Sequence, residues 1–284
     1  MKIFCRINFH FNPNRIKFLS ETILGVCEID SKLTKICITT NTADPLYTRL
    51  LNEIINENQS DRIQIVVETF SDLRNPWYLT WTHKSLMAQS FLSNEYSHYL
   101  YLEDDIRLTN ANIKYWDQYR QILRPHNVYP SFLRVEFNQI HKEWRSTDIT
   151  RKINLNNQKM IFINDLDLFF INSPQPYQGM FFYDHELMHE HLLSTTANAE
   201  EYGQLELVEA DPNWPGGGVA ERANLGLTYH NVPVGHTSRN VLPFSKYYSL
   251  IDSRCLIHHI PNNYTNERPD KPFGKINIAN LIDS

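Results

Sequence analysis

Nine glycines in 284 residues is a sparse supply, and three of them stand together at Gly216, Gly217 and Gly218. Cysteine is scarcer still. Cys5, Cys27, Cys37 and Cys255 are scattered with no CxxC or CxxH spacing, which excludes a zinc ribbon and a disulfide framework and points to a reducing, cytoplasmic setting. No window approaches the roughly eighteen apolar residues that a membrane-spanning helix needs. Lys2, Arg6 and His10 interrupt the opening MKIFCRINFHF where a signal peptide would need its apolar core. Positive charge is not in excess either: the net charge is -5, which argues against a broad electrostatic footprint for nucleic acid. Any anionic ligand must therefore be met by a metal ion or by a few placed cations. There is no low-complexity tract and no internal repeat. With 42% hydrophobic and 21% charged residues the balance is that of a folded globular chain.

What is present is an alternation of strand-like and helix-like segments, the pattern that builds a largely parallel sheet with helices on its faces. Strands are expected at residues 3–9, 35–40 and 62–70, the last rich in β-branched side chains. Helices are expected after Asn12 or Asn14, with an apolar face of Ile16, Leu19, Ile23 and Leu24, and then over residues 45–57 and 79–92. Beyond residue 105 the order loosens. A helix is expected at 111–123, with strands near 132–137 and 159–164. Thereafter aromatics, prolines and loops dominate until a short apolar run at 255–260.

The chemistry concentrates in HYLYLEDDIRL. A buried-type strand, Tyr99, Leu100, Tyr101 and Leu102, runs into Glu103, Asp104 and Asp105. Three adjacent acids repel one another and are best tolerated beside a cation, and Mg²⁺ or Mn²⁺ suits their oxygen ligands. The carboxyl end of a strand in an open α/β sheet is also where ligands bind. The plainer reading is that these acids cap a helix and face water.

YLYLEDDI resembles the DxD-type strand end of the metal-dependent GT-A glycosyltransferases. The resemblance implies a Rossmann-type α/β fold with a mostly parallel central sheet flanked by helices, followed by an irregular, aromatic-rich acceptor region. It implies one catalytic domain over residues 1–284, with a nucleotide-sugar-binding half at 1–130 and an acceptor-binding half at 131–284. Asp105 would be the metal ligand, Glu103 would contact the ribose or a metal-bound water, and Asp104 would lie against the donor. A glycine loop and a following acid complete such sites. Gly217 and Gly218 with Glu221 resemble them, Arg222 standing where a second acid is usual; Glu221 is then the base and Asp211 its reserve. A late histidine often joins the metal, which here is His258 or His259 in IHHIPNNY. The donor's base and ribose would meet the first strand ends, offering Arg6, Asn8, Thr40 and Asn41 by position, with Lys84 of WTHKSLM as a further contact or a solvated lysine.

Together these residues imply transfer of a sugar, with inversion, from a nucleotide-diphosphate donor to a hydroxyl of a glycan or glycolipid acceptor. A uridine diphosphate sugar is the expected donor. A lipid-linked acceptor would require peripheral membrane contact without a transmembrane segment. Two other readings stand beside this one. A non-catalytic nucleotide-sugar or carbohydrate-binding protein of the same fold would explain the missing second acid. A zinc hydrolase would explain His185-Glu186-Leu187-Met188-His189, which matches HExxH, with Glu206 or Glu209 as third ligand. Asp165-Leu166-Asp167 is a second DxD string that competes for the metal role.

Overall fold

The computed structural model describes residues 1–73, 76–163, 168–197, 218–245 and 250–283. They fall into two compact units. The first comprises the described parts of Met1–Ile106, Gly179–Leu207 and Gly216–Leu227, and the second the described parts of Arg107–Gln178 and Thr228–Ser284.

The first unit is an α/β layer built on β1 (Lys2–Phe9), α1 (Ile16–Cys27), β2 (Leu33–Thr40), α2 (Pro45–Asn58), β3 (Ile63–Thr69), α3 (His83–Leu92) and β4 (His98–Glu103). The chain then returns as β5 (Met180–Asp184), α4 (His185–Leu193) and α5 (Val219–Leu225). The sheet order is β5-β4-β1-β2-β3, parallel throughout except for β5, which runs antiparallel to β4. This is the mostly parallel, helix-flanked α/β architecture expected from the alternation. Near-continuous burial of β1 and β4 follows from both faces being covered. Parallel pairing also sets Phe9, Thr40, Thr69 and Glu103 at one edge of the sheet.

Local chemistry fixes the element ends. Strand β3 starts one residue later than expected, and the Arg62 side chain just before it donates to the carbonyls of Ile29 (2.7 Å) and Cys27 (2.7 Å) at the end of α1. In α1 the buried positions are Leu19, Thr22, Ile23, Gly25 and Val26, whereas Leu24 is exposed. The expected helix at 79–92 divides: Pro76–Thr82 is a 3-10 turn and α3 begins at His83. The hydroxyls of Thr80 and Thr82 donate back to the carbonyls of Trp77 and Leu79, each at 2.7 Å, which competes with α-helical pairing.

The second unit contains the helix Asn110–Leu123, closed at its start by a capping box of Thr109 and Asn112. Leu168–Asn172 lies between Met160–Ile163 and Asn240–Ser245 in an antiparallel sheet. Leu133–Asn138 pairs antiparallel with Glu143–Ser146 and parallel with Leu256–His259 in another. Among the described residues no helix is long and apolar enough to cross a membrane.

Candidate functional site

The sheet edge where β1 and β4 end opens into a cavity of about 470 Å³ within the first unit. Its floor and one wall are Asn8 and Tyr101 from the sheet, with His10, Asn12 and Arg15 from the segment leading into α1. Pro76, Trp77, Leu79 and Thr80 form an apolar wall, and Glu103, Asp104, Ala220 and Glu221 bring the carboxylates. The volume lies in the range of small-molecule sites, and the lining combines aromatic surface with a few convergent polar groups.

Each polar group is held from behind. The Asn8 amide, 6% exposed, donates to the Thr80 carbonyl (2.8 Å) and to the Tyr101 hydroxyl (3.1 Å), while Thr39 donates to its oxygen. Glu103 accepts from Asn224 Nδ2 of α5 at 2.5 Å, so the acid strand and the helix carrying Glu221 meet side chain to side chain. The Trp81 indole donates to the Val219 carbonyl at 2.8 Å, tying α5 to the Pro76–Thr82 turn. Gly218 is the N-cap of α5; a Cβ there would stand 2.7 Å from Glu221 Oε2, so glycine is what allows that carboxylate to fold back over its own helix start.

The acid triplet is not left to water. The Arg15 guanidinium donates Nε to Asp104 Oδ2 (2.9 Å) and Nη2 to both Asp104 Oδ1 (2.5 Å) and Asp105 Oδ2 (2.9 Å). Both aspartates are 6% exposed. Thr22 of α1 adds a bond to the Asp104 carbonyl at 3.0 Å. Burial pushes the Asp104 carboxyl well above the ordinary aspartate value, against the pull of Arg15 and with the help of Asp105 and Glu103. For Arg15 burial acts to lower the value, but the two aspartates outweigh it and the guanidinium is held protonated.

Of the residues singled out in the sequence, the fold gathers Asn8, Glu103, Asp104 and Glu221 around one space. Others lie elsewhere. Arg6 is fully buried within the sheet, 3.7 Å from Glu68, because its strand is covered on both faces. Thr40 is buried, and the Asn41 side chain is engaged in accepting the Phe11 N–H at 2.7 Å. Lys84 does not line the cavity and is buried, at 8% exposed. Its Nζ donates to the Thr196 carbonyl at 2.5 Å and approaches His191 Nε2 at 3.5 Å, and burial lowers its pKa to about 7.

Each expected metal ligand has a partner within its own unit. Asp105 is committed to Arg15. His258 and His259 belong to the second unit, where His258 bonds Asn262 Oδ1 (3.0 Å) and His259 bonds the buried Glu136 (2.6 Å). Among the described residues no group of three His, Cys, Asp or Glu side chains is placed to hold a metal ion. The described residues by themselves do not make a complete donor set for a divalent cation. His185 and His189 lie one turn apart on α4, capped by Asp184, and both stack on the Phe91 ring at 4.4 and 5.8 Å. Asp211, Gly216, Gly217, Glu206, Glu209 and the Asp165-Leu166-Asp167 string lie outside the described residues. The groups that sequence reasoning missed are Arg15, Trp77, Tyr101 and Asn224. Of these only Arg15 stands by a sequence landmark, two residues after the turn-opening Pro13, and that landmark does not name its partner.

No family model matches the chain, and no curated protein matches it. Among solved structures it is similar to Staphylococcus aureus TarS residues 1–349, at 11% identity and a TM-score of 0.38, covering 80% of this chain and 56% of that one. The same protein in complex with UDP-GlcNAc gives 10% identity and a TM-score of 0.35, covering 67% of this chain and 47% of that one. A longer TarS structure gives 12% and 0.36, with 67% and 30% covered. The chain thus spans between about a third and just over half the length of these structures.

Proposed function

We propose that the chain is a glycosyltransferase that binds a nucleotide-diphosphate sugar, a UDP-sugar by the resemblance of its acid-tipped strand, in the cavity of the first unit. The observation that carries this reading is the convergence on one volume of Glu103 and Asp104 from a strand end, Glu221 from a helix start, and the exposed aromatic surface of Trp77. A base or sugar ring stacks on such surface, and the strand edge is the customary ligand side of a parallel sheet.

In this reading Glu221 accepts the proton of the acceptor hydroxyl. The acceptor oxygen bonds to the anomeric carbon as the bond from that carbon to the diphosphate oxygen breaks, and its electron pair leaves with the nucleoside diphosphate. One carboxylate on the face opposite the leaving group suffices for inversion. Asn8, locked by Thr80 and Tyr101, positions the donor. The acceptor is a hydroxyl of a glycan or glycolipid.

The test is a calorimetric panel of nucleotide sugars and free nucleotides on the intact protein, followed by product analysis with sugar acceptors. Glu221→Gln is expected to keep donor affinity within about threefold and to lower kcat by 10²-fold or more. No binding of any nucleotide sugar by the wild type would sink the proposal. Tight binding with no turnover on any acceptor would instead favour a silent carrier of the same ligand.

A further inference from the structure

A diphosphate entering this cavity meets three carboxylates, those of Glu103, Asp104 and Glu221, and one permanent cation among the described lining residues, Arg15. Repulsion by the acids has to be offset before an anion of two or more charges can settle there. In the resting state Asp104 and Asp105 are paired with Arg15, and among the described residues no group of three candidate ligands is placed to hold a divalent ion.

The geometry points to Arg15 as the group that carries the charge of the donor's diphosphate, without a divalent metal, by turning from Asp104 and Asp105 to the phosphate oxygens. This rests on the reading of the cavity as a nucleotide-diphosphate site. Three features support it. The guanidinium lines the cavity and is about one third exposed, so it can reach a ligand, whereas the carboxylates it holds are nearly buried. Its planar fork already makes a two-bond contact with Asp104, and the same fork fits phosphate oxygens. It stands directly before Ile16, the first residue of the 12-residue α1, where the helix dipole also favours an anion. In the resting state the aspartates hold the arginine in place, and the phosphates compete with them for it.

The experiment measures UDP and uridine binding by calorimetry on the intact protein, in EDTA and in Mn²⁺, for wild type, Arg15→Ala and Asp104→Asn. Wild type is expected to bind UDP equally well, within about threefold, in both buffers. Arg15→Ala should weaken UDP at least tenfold and leave uridine unchanged, because the nucleoside lacks the charge that Arg15 meets. Asp104→Asn, which removes a competitor for the guanidinium, should bind UDP more tightly than wild type, and this arm stands even if Arg15→Ala does not fold. UDP binding by wild type only in Mn²⁺ overturns the inference and leaves the glycosyltransferase reading intact. So does wild-type affinity in Arg15→Ala, or weaker binding in Asp104→Asn. Failure of wild type to bind UDP in either buffer fells the broader reading instead.

Discussion

Replacing Arg15 with methionine keeps the length of the side chain and removes the charge that Asp104 and Asp105 share. Breaking a buried ion pair from one side costs roughly 3–5 kcal/mol because the remaining charge is stranded. Arg15 is about one third exposed, so solvent screens part of this, and a loss of about 2 kcal/mol at pH 8 is the better figure. The pH dependence is the sharper expectation. In the wild type, burial already raises the Asp104 carboxyl above its ordinary 3.8, and losing the guanidinium raises it further. A carboxyl that holds its proton more tightly folded than unfolded costs nothing below the unfolded value, and it removes stability progressively as pH climbs through the folded value. The deficit of Arg15→Met should therefore be small near pH 5 and grow toward pH 8, and Asp104→Asn in the same background should recover most of it. Urea unfolding at pH 5, 6.5 and 8 measures both. An equal deficit at all three values, or no recovery in the double variant, would refute the assignment of Arg15 as the counterion of a buried carboxylate.

Three other perturbations test other parts of the structure. Lys84→Met should change the slope of stability with pH: the wild-type lysine, lowered to about 7 from 10.5, costs most below 7 and progressively less above it. Wild type should thus gain roughly 2 kcal/mol relative to the variant between pH 7 and 9 in parallel unfolding curves. Gly226→Ala should destabilise by about 2 kcal/mol or more, because φ is +51° there and the new methyl meets the Tyr183 hydroxyl, which accepts the Leu227 N–H at 2.7 Å; thermal unfolding reports it. Gly218→Ala should leave the melting temperature nearly unchanged, since the added Cβ meets only the tip of the Glu221 side chain, and should lower kcat more than it raises KM by displacing that carboxylate.

Strands β1 to β4 were legible because β-branched and apolar runs bounded by polar turns have one economical use in a chain of this length. The gathering of Glu103 with Glu221 was legible in outline through the resemblance. The counterion was not. Arg15 and Asp104 are 89 residues apart, and nothing local in NPNRIKF announces a partner at the far end of another strand. The three adjacent acids were read as a demand for a cation, and the one that Asp104 and Asp105 contact is a side chain of this chain, Arg15. Lys84 shows the same limit: it reads as a donor contact or a solvated lysine, and only the turn of chain that places the Thr196 carbonyl over it explains its burial. Leu24 was misplaced for a simpler reason, because the 100° step of a helix that buries Leu19, Ile23 and Val26 turns position 24 outward.

The first unit is assembled from stretches that are far apart in translation order. The acid-bearing strand ends at residue 103, yet β5 lies at Met180–Asp184, and Asn224, which holds Glu103, emerges 121 residues later. A ribosome must complete the 76 residues between Glu103 and Met180 before β5 can close the sheet, and more still before Asn224 reaches Glu103. During that interval the edge of β4 and the Glu103 carboxylate stand open on the nascent chain. Arrest of synthesis anywhere between residues 106 and 179 would leave an exposed strand edge, the form of a protein chain most readily captured by chaperones or by its own copies.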